Sequence, residues 1–357
     1  MADLALYYQE LVSGKRTGFR DRLLLGALRL ASYPYACLMG QRALAYRMGI
    51  FRSHRLPRPV IAVGNLTMGG TGKTPMVAHL AAQLIADGKR VVVLTRGYGG
   101  SAGKGPCLVS DGKAILVTPE VSGDEPSLLA RKVPGLMVVV GSDRYRCGLF
   151  AMEKLQPDVF ILDDGYQHLR LQRDLNLLLM DARNPLGNGR VIPAGFLREP
   201  RSAAKRADVV VYTRCAAAGE PNLFPGKPAC WTTHSITGYH DVILGTRLGP
   251  AELQGKRIVA FSGIADPKAF FDLIETGGVS LTATISFADH ASYGEEEIAA
   301  INRVRVTSRS TVLITTEKDA VKLAPFVSRL GTCLTADLAI RFYDESPLAA
   351  SLEKILY

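Results

Sequence analysis

Residues 60–74 read VIAVGNLTMGGTGKT, and this stretch decides the fold. An apolar run leads into a turn of small residues, and a helical pattern follows from Thr74 to Asp87, with Pro75 in its first turn and Gly88 just past its end. Small residues let backbone N–H groups approach phosphates closely, and the N-terminal end of a helix favours negative charge. The order of strand, loop and helix therefore predicts a nucleotide-binding loop.

The loop supplies its own candidate contacts. Lys73 stands where its ammonium would reach the β- and γ-phosphates of ATP, and Thr74 stands where its hydroxyl would bind Mg²⁺. The strict pattern G-x-x-x-x-G-K-[ST] has glycine at the position of Thr67, so the match departs at one place. The predicted nucleotide contacts are Thr67, Met68, Gly69, Gly70, Thr71, Gly72, Lys73 and Thr74.

Further apolar runs extend the pattern in both directions along the chain. They alternate with helical stretches, and their apolar residues are continuous rather than alternating, which is typical of parallel strands buried on both faces. The runs are residues 90–95, 136–141, 158–164, 175–181 and 208–213, then 257–263, 281–287 and 311–319. The fold class is predicted to be α/β, with a P-loop NTPase-like parallel sheet domain and a second, smaller α/β domain.

Periodicity weakens after residue 213, where glycine, proline and threonine accumulate. We therefore place a linker region there. The predicted division is a helical segment at 1–50, the P-loop domain at 51–213, the linker at 214–253 and the second α/β domain at 254–357.

An acidic pair ends one of the apolar runs. Residues 159–164 read VFILDD, so Asp163 and Asp164 follow four apolar residues. A phosphate-binding loop works with a second strand that ends in an acid and holds the metal ion. ATP and Mg²⁺ are the expected cosubstrate and cofactor, and the pattern leaves open which aspartate contacts the ion directly.

The amino-acid composition limits the classes of molecule that the chain is expected to bind. The 357 residues are 47% hydrophobic and 21% charged, which excludes a disordered chain, and 43 Lys and Arg against 33 Asp and Glu give a net charge of +10. This charge favours anionic partners such as phosphorylated small molecules, acidic membranes or nucleic acid. We expect no nucleic-acid partner, because no recognised motif or stripe of basic and aromatic residues is present.

The N-terminal region contains a long apolar segment, residues 23–48, LLLGALRLASYPYACLMGQRALAYRM. Arg29, Pro34, Arg42 and Arg47 interrupt it, so it lacks the run of about 20 apolar residues that spans a bilayer. One interpretation is a helical hairpin packed on its own domain. The other is an interfacial segment whose apolar side chains enter the membrane surface while its arginines meet lipid phosphates.

Three classes of P-loop protein fit such a chain. Membrane-recruited switch ATPases carry a lysine before the paired glycines, where this chain has Met68. GTPases read the base with N-K-x-D, whereas TTEKD at 315–319 has no residue between Lys318 and Asp319. Both departures favour the third class, a kinase.

A kinase also needs a group that accepts the proton of the acceptor hydroxyl. The sequence offers Asp124 in GDEP, which we predict in a loop, and Asp289 and His290 in FADHASY. From the residues alone these candidates stay open.

The motifs together resemble those of the tetraacyldisaccharide 4′-kinases, the lipid A 4′-kinases of Gram-negative bacteria, over about residues 20–325. They occur in the order GNLTMGGTGKTP (64–75), RGYGG (96–100), GDEP (123–126), LDDGYQH (162–168), GRVIPAGFLREP (189–200), FSGIADP (261–267), FADH (287–290) and TTEKDAVK (315–322). One departure is Ala291, because family members commonly have a second histidine after the equivalent of His290.

The resemblance implies a kinase of two α/β domains joined by a short β linker. It would transfer the γ-phosphate of ATP to the 4′-hydroxyl of a tetraacylated glucosamine disaccharide 1-phosphate, giving lipid IV-A. The expected partners are this lipid disaccharide and an anionic membrane surface, and we expect a monomer. The resemblance also favours the interfacial interpretation of residues 20–50 and a peripheral location at the cytoplasmic face of the bacterial inner membrane.

The resemblance also assigns roles to matching residues. It makes Asp124 the acid that takes the proton of the sugar hydroxyl and His290 its partner, and their pairing would need domain closure if they lie on different domains. Lys73 and Thr74 match the phosphate-loop pair, and Asp163 and Asp164 match the acids at the metal. The segments expected near the acceptor supply Arg96, Gly97, Tyr98, Arg190 and Arg198.

Overall fold

The computed structural model describes residues 2–103, 105–289 and 291–356. Within these ranges the strands are β1 Val60–Asn65, β2 Val91–Thr95, β3 Cys107–Asp111, β4 Met137–Val140, β5 Val159–Asp163, β6 Leu175–Asp181, β7 Val209–Thr213, β8 Ala229–Asp241, β9 Arg247–Leu248, β10 Ile258–Ser262, β11 Ala283–Ser286, β12 Val312–Thr316 and β13 Cys333–Phe342. The α-helices are α1 Ala2–Val12, α2 Phe19–Arg47, α3 Lys73–Ala86, α4 Pro119–Ser122, α5 Asp124–Lys132, α6 Arg144–Leu155, α7 Pro267–Thr276, α8 Glu295–Thr307, α9 Glu317–Leu323 and α10 Ser346–Leu356.

The strands form one sheet in the order β11-β10-β12-β13-β8-β7-β6-β1-β5-β2-β4-β3, and β9 pairs with β8. Neighbours are parallel from β8 to β4 and from β11 to β13, and antiparallel where β3 meets β4, where β13 meets β8 and where β9 meets β8. A largely parallel sheet whose strands are connected by helices confirms the predicted α/β class. Its first half consists of β1 to β7 and carries the P-loop, and its smaller second half consists of β10 to β13.

The core lies on both faces of this sheet, as continuous apolar strands require. On one face of the first half, Ile61 and Val63 of β1 pack with Leu80 of α3. On the other face, Ala62 of β1 packs with Phe160 of β5. Neighbouring residues of one strand are therefore buried on opposite faces.

Strand β8 joins the two halves. Its first residues pair in parallel with β7, with Val210 opposite Ala229, and its last residues pair antiparallel with β13, with Leu334 opposite Asp241. It lies inside residues 214–253, where the sequence pattern is weak. The C-terminal helix α10 returns to the first half, where Leu348 is buried in the same core as β1. The domain boundaries themselves stay predictions.

Helix α2 corrects the hairpin interpretation of residues 23–48. It is one helix of 29 residues that continues through Pro34, and Ser32 is its buried residue. Large apolar side chains such as Phe19 and Leu30 are 84% and 73% exposed. By length and composition alone α2 is a candidate to cross a membrane. Within the described residues these apolar side chains face outward, a pattern typical of a surface that contacts a membrane or another protein.

Two local expectations are also corrected. Asp124, predicted in a loop, is the first residue of α5, after Gly123 with φ +90°. The run at 311–319, predicted as one strand, ends at Thr316 because the side chain of Thr316 accepts a hydrogen bond from the Asp319 N–H and starts helix α9. Both changes place charged side chains at helix N-termini.

Candidate active site

The phosphate-binding loop connects β1 to α3. Gly69 and Gly72 have φ +107° and +81°, a left-handed conformation that favours glycine. Thr213 Oγ1 donates to the carbonyl oxygen of Thr71 at 3.1 Å, so β7 supports the loop from behind. The loop thus precedes the helix N-terminus in the geometry that binds phosphate.

Lys73 meets the acidic pair. Its Nζ lies 3.3 Å from Asn65 Oδ1, to which it donates, and 3.6 Å from Asp164 Oδ1. Asp163 ends β5, beside β1, and its carboxylate accepts a hydrogen bond from Thr95 Oγ1 at 3.1 Å. Since the carboxyl ends of parallel strands share one edge of a sheet, β1, β2 and β5 bring these groups together.

The two aspartates have opposite electrostatic character. Burial, followed by the charges of Glu125 and Asp164, raises the pKa of Asp163 to about 6. Burial acts to raise the pKa of Asp164 too, but Lys73 and then Arg198 outweigh it and hold that pKa below its usual value. Asp164 is therefore the firmly ionised member of the pair.

The segment before Pro200 packs against the phosphate loop. The Met68 N–H donates to the carbonyl of Phe196 at 2.7 Å, and the Arg198 N–H donates to that of Leu66 at 2.7 Å. Arg198 then extends its guanidinium to Asp164 Oδ2 at 2.7 Å. The predicted acceptor segment and the predicted nucleotide loop are thus one structural unit.

The phosphate loop and the acidic pair form one wall of a cleft, and the opposite wall carries Asp124. Its carboxylate Oδ2 lies 3.1 Å from Lys322 Nζ of α9, so the N-terminus of α5 contacts the second half of the sheet. Glu125 lies 3.8 Å from Lys318 of the same helix. His290, the predicted partner of Asp124, lies outside the described residues.

Both walls face one cavity of about 1110 Å³. It is lined by Gly70, Lys73 and Thr74 of the loop side, by Asp163 and Asp164, and by Asp124 and Asp289. Of the predicted acceptor residues, Arg96, Tyr98 and Arg198 also line it. Gly97 and Arg190 are outside the lining, as is Thr67, which pairs with Leu197.

Two residues beside the loop were not predicted. Arg214 follows β7 with φ +57°, and its Nη1 donates to the Gly70 carbonyl at 2.9 Å and pairs with Asp181. His234 of β8 lies so close that a Cβ on Gly72 would stand 3.2 Å from its Nε2. Both come from the segment whose pattern is weak, so only the sheet topology reveals them.

Asp319 counts against base recognition by the TTEKD segment. It is fully buried and accepts hydrogen bonds from the Gly263 N–H at 3.0 Å and from Thr316 Oγ1 at 2.7 Å. These hydrogen bonds connect the end of β10 to the start of α9 within the second half of the sheet. Asp319 does not line the cavity. A GTPase would need this carboxylate free to read a guanine.

A phosphate loop with an acidic pair defines a nucleoside-triphosphate-binding protein, and a further carboxylate across the cleft is what a kinase needs. A family model described as tetraacyldisaccharide-1-P 4′-kinase matches residues 24–357. The chain belongs to this family, and it is a phosphotransferase with an alcohol group as acceptor.

Individual relatives of the chain carry the same enzyme name as the family model. The chain is 55% identical to the tetraacyldisaccharide 4′-kinase of Geobacter metallireducens, over 94% of this chain and 99% of that protein. It is 48% identical to the enzyme of the same name from Pelobacter propionicus, over 99% of both chains. A crystal structure of LpxK from Aquifex aeolicus in complex with ATP has a TM-score of 0.78 and 35% identity, covering 94% of this chain and all of that one.

Proposed function

We propose that this chain transfers the γ-phosphoryl group of ATP to the 4′-hydroxyl of a tetraacyldisaccharide 1-phosphate at a membrane surface, with Mg²⁺ as cofactor. Family membership gives the reaction class. The observation that carries the mechanism is the single cavity that Lys73, the acidic pair and Asp124 share. Donor and acceptor groups thus face the same space.

On the donor side, the loop N–H groups and the N-terminus of α3 bind the phosphates. Lys73 neutralises charge on the transferring group, since its ammonium is a flexible point charge. Arg214 holds the loop carbonyl of Gly70 in place by donating to it. This arrangement orders the loop before ATP arrives.

The residues present fit a magnesium ion. Asp164 Oδ1 is buried and has no hydrogen-bond partner among the described residues, and its carboxylate is ionised. Thr74 and the acidic pair would hold the ion, because Mg²⁺ binds one or two carboxylates and completes its shell with phosphates and water. When bound, it supplies neutralisation of charge on the phosphates.

On the acceptor side, we assign Asp124 as the base. Its carboxylate takes the proton of the 4′-hydroxyl while the hydroxyl oxygen forms a bond to the γ-phosphorus, and the bond to the β-phosphate breaks with its electron pair leaving on ADP. His290 is proposed as its partner. Arg96, Tyr98 and Arg198 are proposed to contact the acceptor.

Helix α2 supports a membrane-surface location. Its apolar side chains are exposed, yet Tyr35 and Met39 line the cavity, and Tyr35 donates to the Arg198 carbonyl at 2.9 Å. A lipid held by this helix would therefore lie next to the active site. We propose that the protein is peripheral, at the cytoplasmic face of the inner membrane, and acts as a monomer of two domains joined through β8.

The test of the reaction is transfer of labelled γ-phosphate to a tetraacylated disaccharide 1-phosphate in detergent micelles, with and without Mg²⁺. We expect Mg²⁺-dependent label on the lipid, reduced by about 10³-fold or more in Asp124→Asn because proton acceptance is lost. Asp124→Asn is isosteric, so ATP affinity serves as its control. Label that appears only as free phosphate, with or without lipid, would instead support a switch ATPase.

The membrane proposal is tested by co-sedimentation with vesicles that contain anionic phospholipid. Leu23→Glu with Leu30→Glu should release the protein from the vesicles, because both side chains are at least 70% exposed and a charge opposes insertion. The matched control is Val306→Glu, an equally exposed apolar position on α8. If the wild type, the double variant and the Val306→Glu control sediment equally with the vesicles, the proposal is contradicted.

A further inference from the structure

Helices α5 and α9 face each other across the cleft through three ion pairs. The pairs are Asp124 with Lys322, Glu125 with Lys318, and Lys132 with Glu317. The α5 members belong to the half that carries the phosphate loop, and the α9 members belong to the other half. The contact therefore fixes how the two walls of the cavity meet.

One of these side chains does more than link the helices. Lys322 Nζ lies 3.1 Å from Asp124 Oδ2 and donates to the carbonyl oxygen of Ala291 at 3.0 Å. Its side chain is only 13% exposed. Ala291 directly follows His290 in the chain, so one ammonium group touches both the assigned base and the segment that carries its assigned partner.

We propose that Lys322 is a positioning residue that holds the Asp124 carboxylate beside the backbone of Ala291. An ammonium suits this role because it has three donors that can point to partners on different segments, whereas a planar guanidinium fixes its donors in one fork. The inference rests on the proposed role of Asp124. It adds that the base is oriented by a cation from the opposite half.

Loss of this ammonium should affect orientation more than folding. The other two ion pairs continue to join α5 to α9, while the Asp124 carboxylate loses its counter-charge and the Ala291 carbonyl loses its donor. Misplacement of a catalytic group by about 1 Å lowers a rate by about 10²-fold. The phosphate loop has its own supports and does not depend on this contact.

The first experiment compares Lys322→Met with Glu317→Gln in the lipid phosphorylation assay. Lys322→Met should lower kcat by about 10²-fold with the KM for ATP unchanged within about twofold, because only the orientation of the base is lost. Glu317→Gln removes a neighbouring ion pair between the same helices without changing Asp124 or Lys322, so the base keeps its orientation and kcat should change by less than about threefold. Equal losses in both variants would make Lys322 an ordinary link between helices and overturn the proposal.

The second experiment combines substitutions. In an Asp124→Asn background, Lys322→Met should cause no further loss of the residual rate, because the group it positions is already absent. An additive further loss would overturn the proposal. If Lys322→Met fails to bind ATP, Lys322→Arg replaces it. This variant keeps the charge but fixes the donors in one fork, so kcat should still fall, and a kcat equal to that of the wild type would overturn the proposal.

These outcomes separate the two proposals. A fully active Asp124→Asn removes the base assignment and with it the proposed function of that residue. An inactive Asp124→Asn together with a fully active Lys322→Met leaves the base assignment in place and removes only the positioning role.

Discussion

The imidazole of His234, whose Nε2 is buried, predicts that the stability of the fold depends on pH. The imidazole lies beside Gly72 of the phosphate loop, where a Cβ would stand 3.2 Å from its Nε2, and that Nε2 has no hydrogen-bond partner among the described residues. Burial first, and then the charge of Arg214, lower its pKa from the ordinary value of 6.5 to about 4. We expect that acidification destabilises the folded chain through this residue.

The sign and size follow from linkage. Because the pKa is lower in the folded state, the unfolded chain binds the proton first as pH falls, and stability that is present above pH 6.5 is lost toward pH 4. Between pH 7 and pH 5 the loss from His234 is about 2 kcal/mol. His168 has the same sign, since burial and then Arg144 lower its pKa to about 4.

The assay is urea unfolding of the nucleotide-free protein at pH 7 and pH 5, for the wild type and for His234→Gln. Other titrating groups contribute equally to both proteins, so the difference between them isolates His234. The variant should lose about 2 kcal/mol less than the wild type over this interval. The same pH dependence in both proteins would refute the reasoning, because it would mean that His234 is protonated as easily folded as unfolded.

Three further changes test other parts of the structure. Gly97→Ala should lower the free energy of unfolding by about 2 kcal/mol in urea titrations, because φ is +69° and the new Cβ would lie 2.3 Å from Val140 Cγ1. Arg214→Gln should weaken ATP binding by about tenfold in calorimetric titrations, because Gly70 loses a charge-assisted hydrogen bond. Leu352→Ala should cost about 3 kcal/mol of unfolding free energy by the same urea titration, because α10 buries this side chain against β6–β8. An unchanged midpoint for Gly97→Ala or Leu352→Ala, or an unchanged ATP affinity for Arg214→Gln, would contradict these assignments.

The sequence predicts what local patterns encode. Strands β1 and β5 are continuously apolar up to their polar last residues, so their parallel pairing and the chemistry at their ends could be predicted from residues 60–74 and 158–164. Strand β8 could not be predicted this way. It changes partner from β7 to β13 along its length, so its burial follows neither an alternating nor a continuous apolar pattern.

The contrast between local patterns and long-range contacts also explains which residues of the candidate site could be predicted from the sequence. Lys73 follows the loop after β1 and Asp163 is the last residue of β5, so parallel pairing of these two apolar strands brings both to one edge of the sheet. Lys322 reaches the site only because the second half of the sheet turns α9 toward α5, a contact between residues about 200 positions apart that no local pattern encodes. Its place in the TTEKDAVK segment marked it as part of a motif, and the ion pair to Asp124 gives that motif a physical role. The cleft therefore depends on both halves of the sheet, one providing the phosphate loop and the other the cation beside Asp124, the proposed base.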